Sequence, residues 1–246
     1  MVRKSIKFLA LTLFLITLNI QSAHASVSDI NSIEDNIYNH LKNWDTEFEI
    51  PYFNYDVIDI IRKSAAKDDY LSKSLIGLRV KGYGNNSEVS VEYRTTKSEE
   101  DYIDNEIKTT SNAITNSNMS DYEKVKAVND YLVNRYDYDD TLQSNNSYLA
   151  LTTGRTTCQG YAMTAYKMFN MVGIENRIVI GSINGVPHAW NEVNVDGKWY
   201  NIDITNDDYV GSYKYFLKSD ATFMSSGFEK NSETEYQPCS EDYVIS

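Results

Sequence analysis

Cysteine, histidine and aspartate together can make an activated sulfur nucleophile, and this chain places them in that order at Cys158, His188 and Asp203. Cys158 stands where a Thr/Gly-rich stretch, 152–157, gives way to a helical pattern running to Gly173. A helix start carries partial positive charge and free N–H donors, so it favours a thiolate and can cradle a developing oxyanion. A small core residue at a helix start is the competing reading of Cys158. His188 and Asp203 fall on neighbouring alternating segments, 186–195 and 198–204, joined by Asp196-Gly197. A two-residue turn there would pair 195 with 198 and set 190 opposite 203. His188, Trp190, Asp203 and Thr205 then share one sheet face, with Asp203 diagonal to His188 and within side-chain reach. Such a carboxylate can hold one ring nitrogen and leave the other for the cysteine. The alternative is a half-buried strand histidine beside a turn aspartate. Pro187 cannot donate to a ladder, so this end of the strand is expected at an edge, with a connection longer than Asn184-Gly185 alone.

The positioning elements are legible in outline. Ser120 followed by Glu123 forms a capping box opening a helix to about residue 134, with Val125, Val128 and Leu132 as its buried stripe. Residues 137–147 form a polar loop ahead of the cysteine. Tyr161, Ala165, Met168 and Phe169 mark one face of the cysteine helix, and Gly173 suits its end. Strands are expected at 177–183, 186–195 and 198–204. Upstream, 26–50 and 55–67 read as helices, 75–83 and 88–94 as a hairpin, and 98–116 as a helix. Residues 26–115 thus form a small α+β unit with no chemical motif. The tail from 230 is polar and irregular.

The chain has 246 residues, a formal charge of −12, three histidines and two cysteines. Its acidity argues against a nucleic-acid partner. Two cysteines cannot build a disulfide framework or a Cys-rich zinc site, and no metal or cofactor is expected. The acidic stretches 137–140 and 206–208 do not match a calcium loop and read as solvated. Residues 1–25 carry Arg3, Lys4 and Lys7, then an apolar run, then Ala23-His24-Ala25. That is the pattern of a signal peptide, too short in its apolar core to span a bilayer. Its removal would leave a charge of −15 and only His40 and His188. An exported protein without a stable membrane span is expected. Cys239 reads as a free thiol rather than a partner of Cys158, and His40 as a surface residue.

Cys158-Gln-Gly-Tyr-Ala, His188-Ala-Trp-Asn-Glu-Val and Gly197-Lys-Trp-Tyr-Asn-Ile-Asp203-Ile-Thr205 together resemble the transglutaminase-like cysteine protease superfamily over about 116–216. The resemblance implies an α+β fold with a papain-like core, in which the helix bearing the cysteine packs on an antiparallel sheet bearing histidine and aspartate. Together with the patterns read above, it divides the chain into a signal peptide (1–25), an N-terminal α+β region with no family resemblance (26–115), a catalytic domain (116–229) and a tail (230–246). By position it makes Cys158 the nucleophile, His188 the general base and acid, and Asp203 the orienting carboxylate. Tyr138 is the choice for a second oxyanion donor. Gln159 is a cleft-side residue expected to point elsewhere on the helix, and Trp190 either lines the cleft or simply packs. The family often has Trp after Asp-x-Thr; here Asn206 stands there, a departure expected to touch packing rather than the three site residues. The implied activity is acyl transfer from peptide or glutamine carbonyls, as a secreted peptidase or amidohydrolase on peptides or proteins, cell-wall peptides among them. The alternatives are a cross-linking transglutaminase and a non-catalytic binding or adhesion module.

Overall fold

The computed structural model describes residues 27–232 and 234–244; the expected signal segment lies outside them. The N-terminal unit comprises α1 (Val27–Lys42), β1 (Glu47–Ile50), α2 (Val57–Ala65), α3 (Asp69–Ser74), β2 (Leu75–Tyr83) and β3 (Asn86–Tyr93), with the strands in antiparallel order β1-β3-β2. Ile37 and Leu41, one helical turn apart on α1, meet Ile60 and Ile61 of α2 and Phe48, Ile50, Val89 and Val91 of the sheet. Each such fully buried side chain stabilises the fold by about 1.5–3 kcal/mol. The helix expected over 26–50 stops at Lys42. Trp44 takes a left-handed φ of 61° and closes the helix end, with its N–H on the Leu41 carbonyl and that of Asp45 on the His40 carbonyl. Beyond it, Glu47-Phe-Glu-Ile alternates with period two, burying Phe48 and Ile50.

A second core organises the rest. It is built from α4 (Lys97–Ile114), α5 (Asp121–Arg135), α6 (Ser147–Thr153), α7 (Cys158–Met171) and a four-stranded antiparallel sheet. The strands, in order β8-β7-β6-β9, are β6 (Asn176–Ile183), β7 (Val186–Val195), β8 (Lys198–Ile202) and β9 (Phe228–Lys230). Sequence grouped α4 with the N-terminal unit; in the structure its buried Ile103 and Ile107 join Val125, Val128 and Leu132 of α5 and Phe169 of α7. Two short strands, β4 (Asp137–Tyr138) and β5 (Arg155–Thr156), pair in parallel just before α7. The helix α6 falls within and just beyond the stretch expected as a polar loop: it is only seven residues long, too short for a clear period, and is set by Asn146 accepting from the Leu149 N–H and by Gly154 at φ 71°.

One face of β7 packs on α7, through Ala189, Asn191, Val193 and Val195; the Asn191 side-chain amide donates to the Ala162 carbonyl at 3.1 Å. The opposite face carries His188, Trp190 and Glu192. There Trp190 joins Phe223 of α9 (Asp220–Ser225) and Phe228. Among its described residues the tail beyond β9 has no regular structure but is pinned: Asp220 and Cys239 exchange bonds at 2.8 and 3.0 Å, and the Tyr243 ring stacks on Tyr122 at 5.0 Å. Among the described residues, no helix is long and apolar enough to cross a membrane.

Candidate active site

Cys158 is the first residue of α7, half-buried. Thr157 before it makes no side-chain cap, so the first N–H groups of this helix are not claimed by a capping oxygen. The segment is held from behind instead: the Thr157 N–H and the Thr156 hydroxyl both donate to the Ser144 carbonyl at 2.8 Å. This close approach requires glycine at 160, where a Cβ would lie 1.8 Å from the Thr156 hydroxyl oxygen. The far end of α7 closes at Gly173, φ 81°, with the Ile174 N–H reaching the Phe169 carbonyl.

His188 and Asp203 are brought together by the register read from the sequence. Val195 pairs with Lys198 and Asn191 with Ile202 across a turn whose residues Asp196 and Gly197 have φ of 54° and 81°. The strand expected to run to 204 stops at Ile202, because Asp203 leaves the ladder to become the N-cap of α8 (Ile204–Val210), accepting from the Asn206 N–H. Its other carboxylate oxygen, Oδ2, lies 2.8 Å from His188 Nε2, and Asp203 is fully buried. That leaves Nδ1 for Cys158, which lies close enough to the ring to help raise its pKa. Burial alone would push the imidazole pKa down. The Asp203 charge and hydrogen bond, then the contact with Cys158, overcome it and raise the pKa to about 10. The Asn184-Gly185 connection is a two-residue turn, φ 51° and 79°, not the longer one Pro187 suggested. β8 reaches only as far as Asn191, so Pro187 sits where β7 is an edge on that side.

Asn206 corrects the sequence reading. Its side-chain nitrogen is 2.5 Å from Asp203 Oδ2 and 3.3 Å from His188 Nε2, so it touches both groups rather than a neighbouring packing site. No strand periodicity could reveal this, since the turn into α8 delivers it. Trp190 both packs and borders a cavity of about 350 Å³ that it shares with Phe223 and Phe228. It is buried beneath His188, ring centroids 6.1 Å apart, and donates to Asn201 Oδ1 at 3.0 Å. Tyr138 is partly exposed and near the cysteine; burial, then the Cys158 charge, raises its phenol. With its amide oxygen facing the guanidinium, Gln159 accepts from Arg94 Nη2 at 3.2 Å and lies 3.0 Å from Nε, whose single N–H is shared with the Lys73 carbonyl.

The acidic stretches are not simply solvated. Asp139 is buried and accepts from the Thr141 N–H and hydroxyl and from the Gln143 and Ser144 N–H groups, organising the loop before α6. Asp208 accepts from the Tyr161 hydroxyl at 2.7 Å. Asp207 is buried with Oδ2 unpartnered, and burial, against the Tyr215 N–H bond, raises its pKa to about 7. Both cysteines are free; Cys239 is buried in the tail, and burial pushes its thiol up. Glu192, Asp220 and Cys239 cluster closely enough to ligate a cation, but Lys230 Nζ is 2.5 Å from Glu192 and 2.6 Å from Asp220. An ammonium already occupies the space between those carboxylates. His40 is partly exposed, bound to Asp45 and stacked on Phe48 at 4.5 Å.

Residues 108–204, which include Cys158, His188 and Asp203, match the transglutaminase-like superfamily. Mouse kyphoscoliosis peptidase is 26% identical over 141 residues, covering 46% of this chain and 21% of the mouse protein, and its human counterpart gives the same values. This chain therefore spans about a fifth of the length of those relatives. A solved structure of a TGase is 22% identical, covers 65% of this chain and 50% of its own, and superposes with a TM-score of 0.36.

Proposed function

From a transglutaminase-like domain over residues 108–204, we propose that this chain is an exported cysteine enzyme that cleaves amide bonds of peptides or proteins by acyl transfer. The observation that carries the reading is Cys158 at an uncapped helix start, beside a histidine whose Nε2 is held by buried Asp203 at 2.8 Å. Cys158 and His188 act as a thiolate–imidazolium pair. The thiolate adds to the carbonyl carbon, and the resulting oxyanion takes the Cys158 N–H and the Tyr138 hydroxyl as donors. The carbonyl reforms as the C–N bond breaks, and His188 passes its proton to the departing amine. Neutral His188 then takes a proton from water as the oxygen attacks the thioester. Expulsion of the thiolate releases the acid and restores the pair. An amine in place of water would give cross-linking by the same steps. Export rests on residues 1–25, and peptides of the cell envelope are substrates an exported enzyme would meet.

The test is incubation of the protein with a casein digest, with and without a primary amine, followed by mass spectrometry. Cleavage or deamidation that disappears in Cys158→Ala is expected. Incorporation of the amine in preference to water would replace hydrolysis by transglutamination. Unchanged spectra under every condition would leave a binding module on the same fold.

A further inference from the structure

The N-terminal unit is packed against the nucleophile helix itself. Tyr70 of α3 and Trp44 share a hydrophobic cluster with Cys158, Ala162, Met163 and Ala189, the residue after His188. Asp69 accepts from Arg177 Nε at 2.8 Å and from the Ile178 N–H at 2.9 Å, tying α3 to β6. A cavity of about 410 Å³ opens at this junction, but its Glu100 and Asp104 are both paired with Lys167, so it reads as a seam.

Arg94, just past β3, makes polar contacts on both sides of this junction. Its Nε donates to the Lys73 carbonyl at 2.8 Å within its own unit. Across the junction, Nη1 reaches Asn145 Oδ1 at 3.3 Å, and the guanidinium holds the Gln159 amide oxygen. Asn145 adjoins Ser144, whose carbonyl anchors Thr156 and Thr157, and Gln159 directly follows Cys158. One fork therefore grips the chain on both sides of the cysteine. These partners are all neutral oxygens, in a chain of net charge −12. A surface ion pair does not explain the placement. A planar fork that reaches several acceptors at once does, and lysine could not reproduce it.

We propose that Arg94 is a positioning residue of the active site, through which the N-terminal unit fixes the start of the cysteine helix relative to His188. This rests on the reading of Cys158 as nucleophile.

The test uses the full chain and iodoacetamide, following modification of Cys158 by mass spectrometry from pH 5 to 9, alongside thermal melts. Arg94→Met is expected to slow alkylation at pH 7 by about tenfold, the worth of one hydrogen bond to a charged group. Gln159→Leu should do the same, and the double variant should be no slower than either, the signature of two groups acting as one. Arg94→Lys should behave like Arg94→Met; full recovery with lysine would show that charge suffices and overturn the positioning role. A merely destabilising role would lower the melting temperature and leave Cys158 reacting as fast or faster, which also overturns it. Arg79→Met, which removes the same charge from an exposed position on β2, should match the wild type. If wild-type Cys158 itself reacts only as an ordinary thiol, the nucleophile reading fails first. If the wild type reacts below pH 8 and Arg94→Met stays within twofold of it, only the role of Arg94 falls.

Discussion

Replacing Asp203 with asparagine tests the electrostatic heart of the site. The imidazole of His188 is raised from 6.5 to about 10, against a burial effect that acts downward. That shift corresponds to roughly 5 kcal/mol of preference for the imidazolium. The largest influences raising it come from Asp203, ahead of those from Cys158. Asp203→Asn keeps the burial and removes the charge, so His188 should titrate at or below 6.5. In Cys158→Ala it should stay raised. Ring NMR of the imidazole carbons reads this directly, because the whole chain has three histidines and His40 serves as an internal reference. The same shift has a stability signature. A histidine whose folded pKa lies above its unfolded value stabilises the protein fully below about pH 6.5, and that contribution is lost as pH rises through about 10. Urea melts at pH 6 and 9 should therefore show a loss on the order of 3 kcal/mol in the wild type, and less than about 1 kcal/mol from this group in Asp203→Asn. A wild-type ring titrating near 6.5, or an Asp203→Asn ring still titrating near 10, would refute the reasoning.

Three further outcomes are expected. Gly160→Ala puts a methyl 1.8 Å from the Thr156 hydroxyl oxygen inside a buried corner, and should cost about 1–3 kcal/mol in urea melts while slowing Cys158 alkylation. Asp207 titrates at about 7 with one oxygen unpartnered, so its ionisation weakens the fold as pH rises from about 4 through 7. Asp207→Asn should stabilise the protein at pH 8 by roughly 1–4 kcal/mol and change little at pH 4, and equal stability changes at both pH values would contradict this. Asp139→Ala removes the acceptor of the Gln143 and Ser144 N–H groups, and hydrogen exchange at those two amides should accelerate while β6 and β7 amides stay protected. Its carboxyl is held below the usual range by the Thr141 hydroxyl and the Ser144 N–H, so acid should loosen the same loop as pH falls through that depressed value.

Much of the site was legible because its determinants act over a few residues. The Ser120–Glu123 capping box formed as read. Asp196-Gly197 set the register that carries His188 toward Asp203. Other features depended on contacts that no local period encodes. Trp44 ends α1 in a conformation usually left to glycine, and its ring lies 5.0 Å from Tyr93 and 6.3 Å from Tyr70. The alternation at 47–50 was therefore hidden inside an apparent helix. The apolar stripe of α4 was recognisable as helical, but its neighbours could not be chosen from its own sequence.

The order of cysteine, histidine and aspartate, the helix that begins at the cysteine and the hairpin that aligns the other two were determined by the sequence itself. Turn chemistry and side-chain alternation are properties of adjacent residues, and they transmit register along a strand without help from the rest of the fold. Tertiary structure decided which groups surround that trio. Asn206 reaches His188 only because Asp203 leaves the sheet to cap α8, and Trp190 supports His188 from below only because α9 and β9 enclose it. Arg94 meets Gln159 only once the N-terminal unit has docked on α7. Those encounters join segments far apart in the chain, where packing of separate surfaces, not local propensity, sets the distance.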